Sequence, residues 1–122
     1  MLLLDTDVII DYLRNRKAIV SKLQKLYQQG KLIHYSPLNK AEVYAGLRKG
    51  EEKKTAAFFN LFTSIPITDE IGEQAGHYLM EYSKSNGVHT VDALIAATAK
   101  FYGFSLWTRN RKHYPMKGIR FV

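Results

Sequence analysis

The stretch Leu2-Leu3-Leu4-Asp5-Thr6-Asp7-Val8-Ile9-Ile10-Asp11 decides how the rest of the chain is read. Three leucines are too few for a helix and suit a buried strand. The run stops at Asp5. Asp5-Thr6-Asp7 then supplies turn and N-cap chemistry, and Val8, Ile9, Tyr12 and Leu13 recur at helical spacing up to the basic stop Arg14-Asn15-Arg16-Lys17. An acid placed directly after an apolar strand, at its carboxyl end, is a functional candidate from the outset.

The same alternation continues outward. A helix is predicted over about residues 18–29, with Ile19, Leu23, Leu26 and Tyr27 on one face and Gly30 closing it. Leu32-Ile33-His34-Tyr35 reads as a second strand. Ser36-Pro37 opens a helix carrying Leu38, Val43, Tyr44 and Leu47, which Gly50 ends. Residues 52–62 form a further helix with an aromatic stripe of Phe58, Phe59 and Phe62. Ile65-Pro66-Ile67 reads as a short strand whose proline argues for a sheet edge. Thr68-Asp69-Glu70 opens a long helix, Ser85-Asn86-Gly87 is a loop, and Thr90 caps an alanine-rich helix that Gly103 terminates. Residues 104–108 make a strand, residues 109–114 a basic polar loop, and residues 119–122 a last edge strand. Strands alternating with helices predict crossover connections, hence an α/β fold with a mainly parallel sheet covered on both faces. No linker or internal repeat divides the chain, so residues 1–122 are expected to form one domain.

Composition narrows the chemistry. The 122 residues are 46% apolar and 24% charged, a globular balance. The absence of cysteine excludes disulfides, thiolate metal sites and cysteine nucleophiles. No apolar run approaches the roughly 20 residues that span a bilayer, and only Met1 to Leu4 precede Asp5, so no membrane segment or signal peptide is expected and a cytoplasmic location is the default. The 18 basic against 11 acidic residues give +7, which favours a polyanionic partner, nucleic acid first.

Against that charge the positions of the acids matter. In a parallel α/β sheet, reactive groups collect beyond the carboxyl ends of the strands. Asp5 falls there, Glu42 lies early in the helix after the second strand, and Asp92 lies in the first turn of the helix before the Trp107 strand. Asn110 follows that strand. Three carboxylates and an amide at one edge would form a hard-oxygen cluster, repulsive unless a proton or cation relieves it. Mg²⁺ or Mn²⁺ suits such ligands and activates water for attack on a phosphodiester. Each acid also has an ordinary explanation: Asp7 as an N-cap or a group behind the site, Glu42 as a capping-box partner three after Asn39, Asp92 as a helix-dipole acid two after Thr90.

Four stretches together resemble the PIN-domain family. Residues 2–11 resemble its opening strand and first catalytic aspartate, and Ser36-Pro37-Leu38-Asn39-Lys40-Ala41-Glu42-Val43-Tyr44-Ala45-Gly46 its second motif. Val91-Asp92-Ala93-Leu94-Ile95-Ala96-Ala97-Thr98-Ala99 resembles the third, and Leu106-Trp107-Thr108-Arg109-Asn110 the fourth. They run in order over almost the entire chain, and the length and the Asp-Ala-Leu-Ile-Ala-Ala stretch look most like VapC-type toxins of toxin–antitoxin pairs. The resemblance implies a three-layer α/β/α sandwich and a metal-dependent endoribonuclease. It carries Asp5, Glu42 and Asp92 over as the acidic triad, holding one Mg²⁺ (or Mn²⁺) through Asp5 and Asp92, with Glu42 acting through water. Asn110 stands where the family often has aspartate and is assigned to orienting water or a ligand. Where relatives often read Asn-x-x-Asp-Phe, this chain has Asn110-Arg111-Lys112-His113-Tyr114, a departure that argues against a second metal. Thr6, Asp7 and Thr108 are expected behind the acids, and Arg109, Arg111 and Lys112 on the RNA. The resemblance further implies a homodimer and a cognate antitoxin whose tail crosses the active-site groove, with the Phe58, Phe59 and Phe62 stripe serving one of those contacts or the core.

Three rivals start from the same residues. Asp5-Thr6-Asp7-Val8 also resembles the first motif of haloacid-dehalogenase-type phosphatases, but no acid follows Asp92 to complete that family's pattern. His34, His77, His89 and His113 offer a metal-free acid–base pair. A PIN-like RNA-binding module with weak or lost activity is the non-enzymatic alternative.

Overall fold

A computed structural model describes residues 1–122. In chain order it contains β1 (Leu2–Leu4), α1 (Thr6–Leu13), α2 (Lys17–Gln28), β2 (Ile33–Tyr35), α3 (Pro37–Ala45), α4 (Glu52–Leu61), β3 (Thr63–Ser64), α5 (Asp69–Asn86), α6 (Thr90–Tyr102) and β4 (Ser105–Trp107), followed by a 3₁₀ turn at Arg111–His113. The four strands lie in the order β3-β2-β1-β4 and every pair is parallel, with Leu3 opposite both His34 and Leu106.

Successive side chains of a strand point to opposite faces, and β1 divides its three leucines accordingly. Leu3 joins Leu106, Ile71, Ala75 and Ile95 in a core beneath α5 and α6. Leu2 and Leu4 join Val8, Ile9, Leu23, Val43, Phe58, Phe59 and Trp107 in a second core beneath α1 to α4. Helices thus cover both faces. The connections β1 to β2 to β3 step in one direction and use α1 to α4. The connection from β3 through α5 and α6 returns to the far side of β1. The direction of winding reverses at β1, so the gap between β1 and β4 is the topological switch point, where such sheets place their ligands.

Several local expectations shift. The edge strand is Thr63–Ser64 rather than residues 65–67, because Pro66 has no N–H to pair and the ladder ends where Ile65 N–H donates to Tyr35 O at 2.9 Å. α3 ends at Ala45 with Gly46 as its cap, and the chain turns again through Gly50 before α4. α5 continues through Ser85 and Asn86, stopping only where Gly87 adopts φ 65°, a conformation suited to glycine. His89, not Thr90, is the N-cap of α6. The C-terminal strand reduces to one parallel bridge between Phe121 and Leu106. Phe58 and Phe59 are each 4% exposed, so two thirds of the aromatic stripe belongs to the core. No helix is long and apolar enough to cross a membrane.

Candidate active site

Asp5 occupies the switch point. Its N–H donates to Trp107 O at 2.9 Å, which continues the β1–β4 ladder by one bond and fixes the residue before α1 begins. Asp5 is also the N-cap of α1: Oδ1 accepts from Thr6 N–H at 2.8 Å. The other oxygen, Oδ2, accepts two hydroxyls, Thr108 and Tyr114, each at 2.8 Å. Three donors, one at the start of α1 and two from the segment after β4, hold one carboxylate, an arrangement that restrains its rotation.

Thr6 connects this carboxylate to the second motif. Its hydroxyl donates to Glu42 Oε1 at 2.6 Å and accepts from Asn39 Nδ2 at 3.1 Å. Asn39 is fully buried and its Oδ1 accepts from Ser36 N–H at 2.7 Å, so Asn39 itself is the capping-box partner at the start of α3. That frees Glu42 from the capping role and leaves it exposed at the edge. Asp92 sits in the first turn of α6, where its Oδ2 accepts from His89 N–H at 3.2 Å.

Asp7 organises the fourth motif. Its Oδ2 accepts from Arg109 N–H and from Asn110 Nδ2, both at 3.1 Å, while Thr108 Oγ1 accepts from Asn110 N–H at 3.0 Å. Burial raises the Asp7 pKa above the ordinary carboxylate value, and the negative charges of Asp5 and Asp11 push the same way against hydrogen bonds from the Arg109 and Val8 backbone. Its Oδ1 is buried without a partner.

The basic loop is less free than its sequence implies. Asp11 holds the Arg109 guanidinium and also pairs with Arg16 at 3.6 Å. Arg111 donates to Val122 O at 3.0 Å and lies over the Phe121 ring at 5.0 Å. Two of the three cations expected to meet a substrate are therefore engaged within the protein, because each has a carboxylate or carbonyl within reach. Lys112 is exposed and makes no such contact. His34, on β2, stacks on Phe104 at 4.5 Å, and His77 lies beside Glu73 on α5.

The donor set suits Mg²⁺ or Mn²⁺ in kind, being carboxylate oxygen throughout. Glu42 and Asp92 each keep one oxygen outside any hydrogen bond, and Asp7 Oδ1 is an orphan. As the side chains stand, however, no three His, Asp or Glu groups close on one point. Asp5, Glu42 and Asp92 do not form the finished ligand set that the sequence suggested. Like charges repel, and Thr108, Tyr114, Thr6 and the His89 amide draw each acid to itself. Sequence reading missed Tyr114 and Asn39: an aromatic in a basic loop looks like any core aromatic, and Asn39 was read only as the anchor of Glu42. The Ser36-x-x-Asn39 spacing was the available signal.

An all-parallel α/β sheet with Asp5 at its switch point, and Glu42 linked to that corner through Thr6, defines a class, that of domains whose polar groups from distant segments meet at the strand ends. The PIN domain family model matches residues 2–118. Ribonuclease VapC19 of Mycobacterium tuberculosis is 36% identical over 117 residues, covering 95% of this chain and 94% of the relative. A toxin–antitoxin complex from Klebsiella pneumoniae superposes with a TM-score of 0.79 at 27% identity over 97% of this chain and 93% of that one. VapBC2 from Rickettsia felis bound to a DNA fragment from its promoter shares the fold, with a TM-score of 0.84 at 20% identity over 99% and 96%. The chain belongs to the PIN-domain family, which sets aside the haloacid-dehalogenase-type reading.

Proposed function

We propose that the protein is a divalent-metal-dependent endoribonuclease and the toxin of a toxin–antitoxin pair. The observation that carries this reading is Asp5 at the switch point, with both oxygens held and Glu42 tied to the same corner through Thr6. Identity to a named ribonuclease over nearly the full length of both chains supports the activity, and likeness to a solved toxin–antitoxin complex supports the cognate antitoxin.

Asp5 and Asp92 would hold one Mg²⁺ or Mn²⁺, with Glu42 acting through water. Bound there, the ion supplies activation of water for in-line attack on a phosphodiester and neutralises charge developing on the phosphate. The protein's own groups do the positioning. Thr6, Thr108 and Tyr114 keep Asp5 from turning. Thr6 orients Glu42, and Asp7 holds the Asn110 amide so that its carbonyl is left to orient water. Lys112 and the net charge of +7 attract the RNA backbone. Cleavage by water leaves a 5′-phosphate and a 3′-hydroxyl and uses no ribose hydroxyl as nucleophile. A cytoplasmic homodimer completes the proposal.

The test is RNA cleavage followed by mapping of 5′ ends, with Asp5→Asn as control. Wild-type protein should cut in Mg²⁺ or Mn²⁺, stop on chelation and produce 5′-phosphates, and Asp5→Asn should not cut. Cleavage by Asp5→Asn at the wild-type rate, or chelator-resistant cleavage giving cyclic phosphates, would overturn the proposal. Tight RNA binding without cleavage in either metal would favour the inactive-module alternative.

A further inference from the structure

Tyr114 is 3% exposed, and a buried phenol needs an acceptor. Buried Tyr35 donates to a backbone carbonyl, Phe59 O, and buried Tyr78 leaves its hydroxyl without a partner. Tyr114 instead donates to a carboxylate, Asp5 Oδ2, at 2.8 Å across 109 residues of sequence. It stands at the end of the loop that begins with Thr108, whose hydroxyl donates to the same oxygen. The far end of that loop is pinned separately, by Asp7 on Arg109 N–H and Asn110 Nδ2. The 3₁₀ turn with Arg111 and Lys112 is thus fastened to the first motif at both ends, and one fastening is the candidate catalytic acid itself.

We propose that Tyr114 is a positioning residue for this active site: its hydroxyl locks the Asp5 carboxylate in the orientation that receives the divalent ion and couples the 109–114 loop to it. The inference rests on the nuclease reading above. Without the hydroxyl, Oδ2 retains only Thr108 and Oδ1 only the Thr6 N–H, so the carboxylate is held by two donors instead of three.

Tyr114→Phe removes one oxygen and keeps the ring. Mn²⁺ binding, measured by electron paramagnetic resonance in the absence of RNA, should weaken about tenfold, as is usual when a group supporting a metal ligand is lost. Cleavage kinetics should show a similar fall in kcat with KM for RNA unchanged. In wild-type protein, the Tyr114 hydroxyl proton should exchange slowly enough to be seen by NMR, a measurement that does not depend on the variant folding. Unchanged Mn²⁺ affinity and kcat in a folded Tyr114→Phe, or a hydroxyl proton that exchanges as fast as those of exposed tyrosines, would overturn the proposal. Asp5→Asn separates the two ideas: if it still cleaves, the nuclease site is misassigned, whereas if it is dead and Tyr114→Phe is normal, only the role of Tyr114 fails.

Discussion

The two ends of the parallel sheet are finished with different chemistry. At the amino ends, Phe104 stacks against His34 at 4.5 Å and against Tyr102 at 5.5 Å, and backbone bonds such as Leu2 N–H to Leu32 O and Ser105 N–H to Met1 O continue the ladder. At the carboxyl ends, Asp5, Thr6, Asp7, Asn39, Glu42, Thr108, Asn110 and Tyr114 are joined by side-chain hydrogen bonds that cross from motif to motif. The first end is packed and the second is wired. An active site needs groups that stay polar and fixed at once, and the second arrangement provides this by holding side chains of one motif with those of another, Asp7 Oδ1 alone being left buried without a partner.

Substitutions that separate packing from wiring sharpen the contrast. Asp5→Asn should lower RNA cleavage by about a hundredfold or more, the scale of losing one pre-set electrostatic group. It should still fold, as circular dichroism will check, because asparagine keeps the helix cap on Thr6 N–H and its Nδ2 can donate to the Thr108 and Tyr114 hydroxyls once these turn to accept. Leu106→Ala acts in the opposite sense. Leu106 is fully buried between β1 and the C-terminal segment, and its truncation should cost about 3 kcal/mol in chemical denaturation. Under conditions where this variant is still folded, cleavage should persist. If Leu106→Ala lost activity while fully folded, the two ends would not be separable.

Smaller effects test single connections. Thr6→Val removes the hydroxyl between Asn39 and Glu42 but leaves the backbone N–H that caps on Asp5. Cleavage should fall about tenfold, and Thr6→Ser should restore it. The smallest effect lies at the packed end. Burial lowers the His34 pKa below its usual 6.5, so the folded state binds this proton less readily than the unfolded chain. The stability that neutral His34 contributes is present above pH 6.5 and is lost as pH falls through the folded-state value. Urea melts at pH 7.5 and 5.5 should show His34→Phe losing less stability on acidification than wild type. Equal losses would remove His34 from the account.

The parts that sequence made legible are those encoded by neighbours. The leucine run ending at Asp5 announced both the central strand and the acid beyond it, because strand burial and helix capping are local rules. The parallel order followed from alternation of strands and helices. What stayed hidden depends on distance along the chain. The Thr6–Glu42 bond spans 36 residues and the Tyr114–Asp5 bond 109, and no periodicity reports either. Arg109 and Arg111 read as free cations until the fold brought Asp11 and Val122 within reach. The edge strand slid to Thr63–Ser64 because Pro66 cannot carry the ladder past the bond from Ile65 N–H to Tyr35 O.

The central claim is that acids from three segments serve one divalent ion at the β1–β4 switch point. Crystals of the protein soaked in Mn²⁺ test it directly through anomalous scattering. The account predicts a peak within ligand distance of the Asp5 and Asp92 carboxylates, with Glu42 on the same side. A peak bound elsewhere, or none at this edge at saturating Mn²⁺, would contradict it.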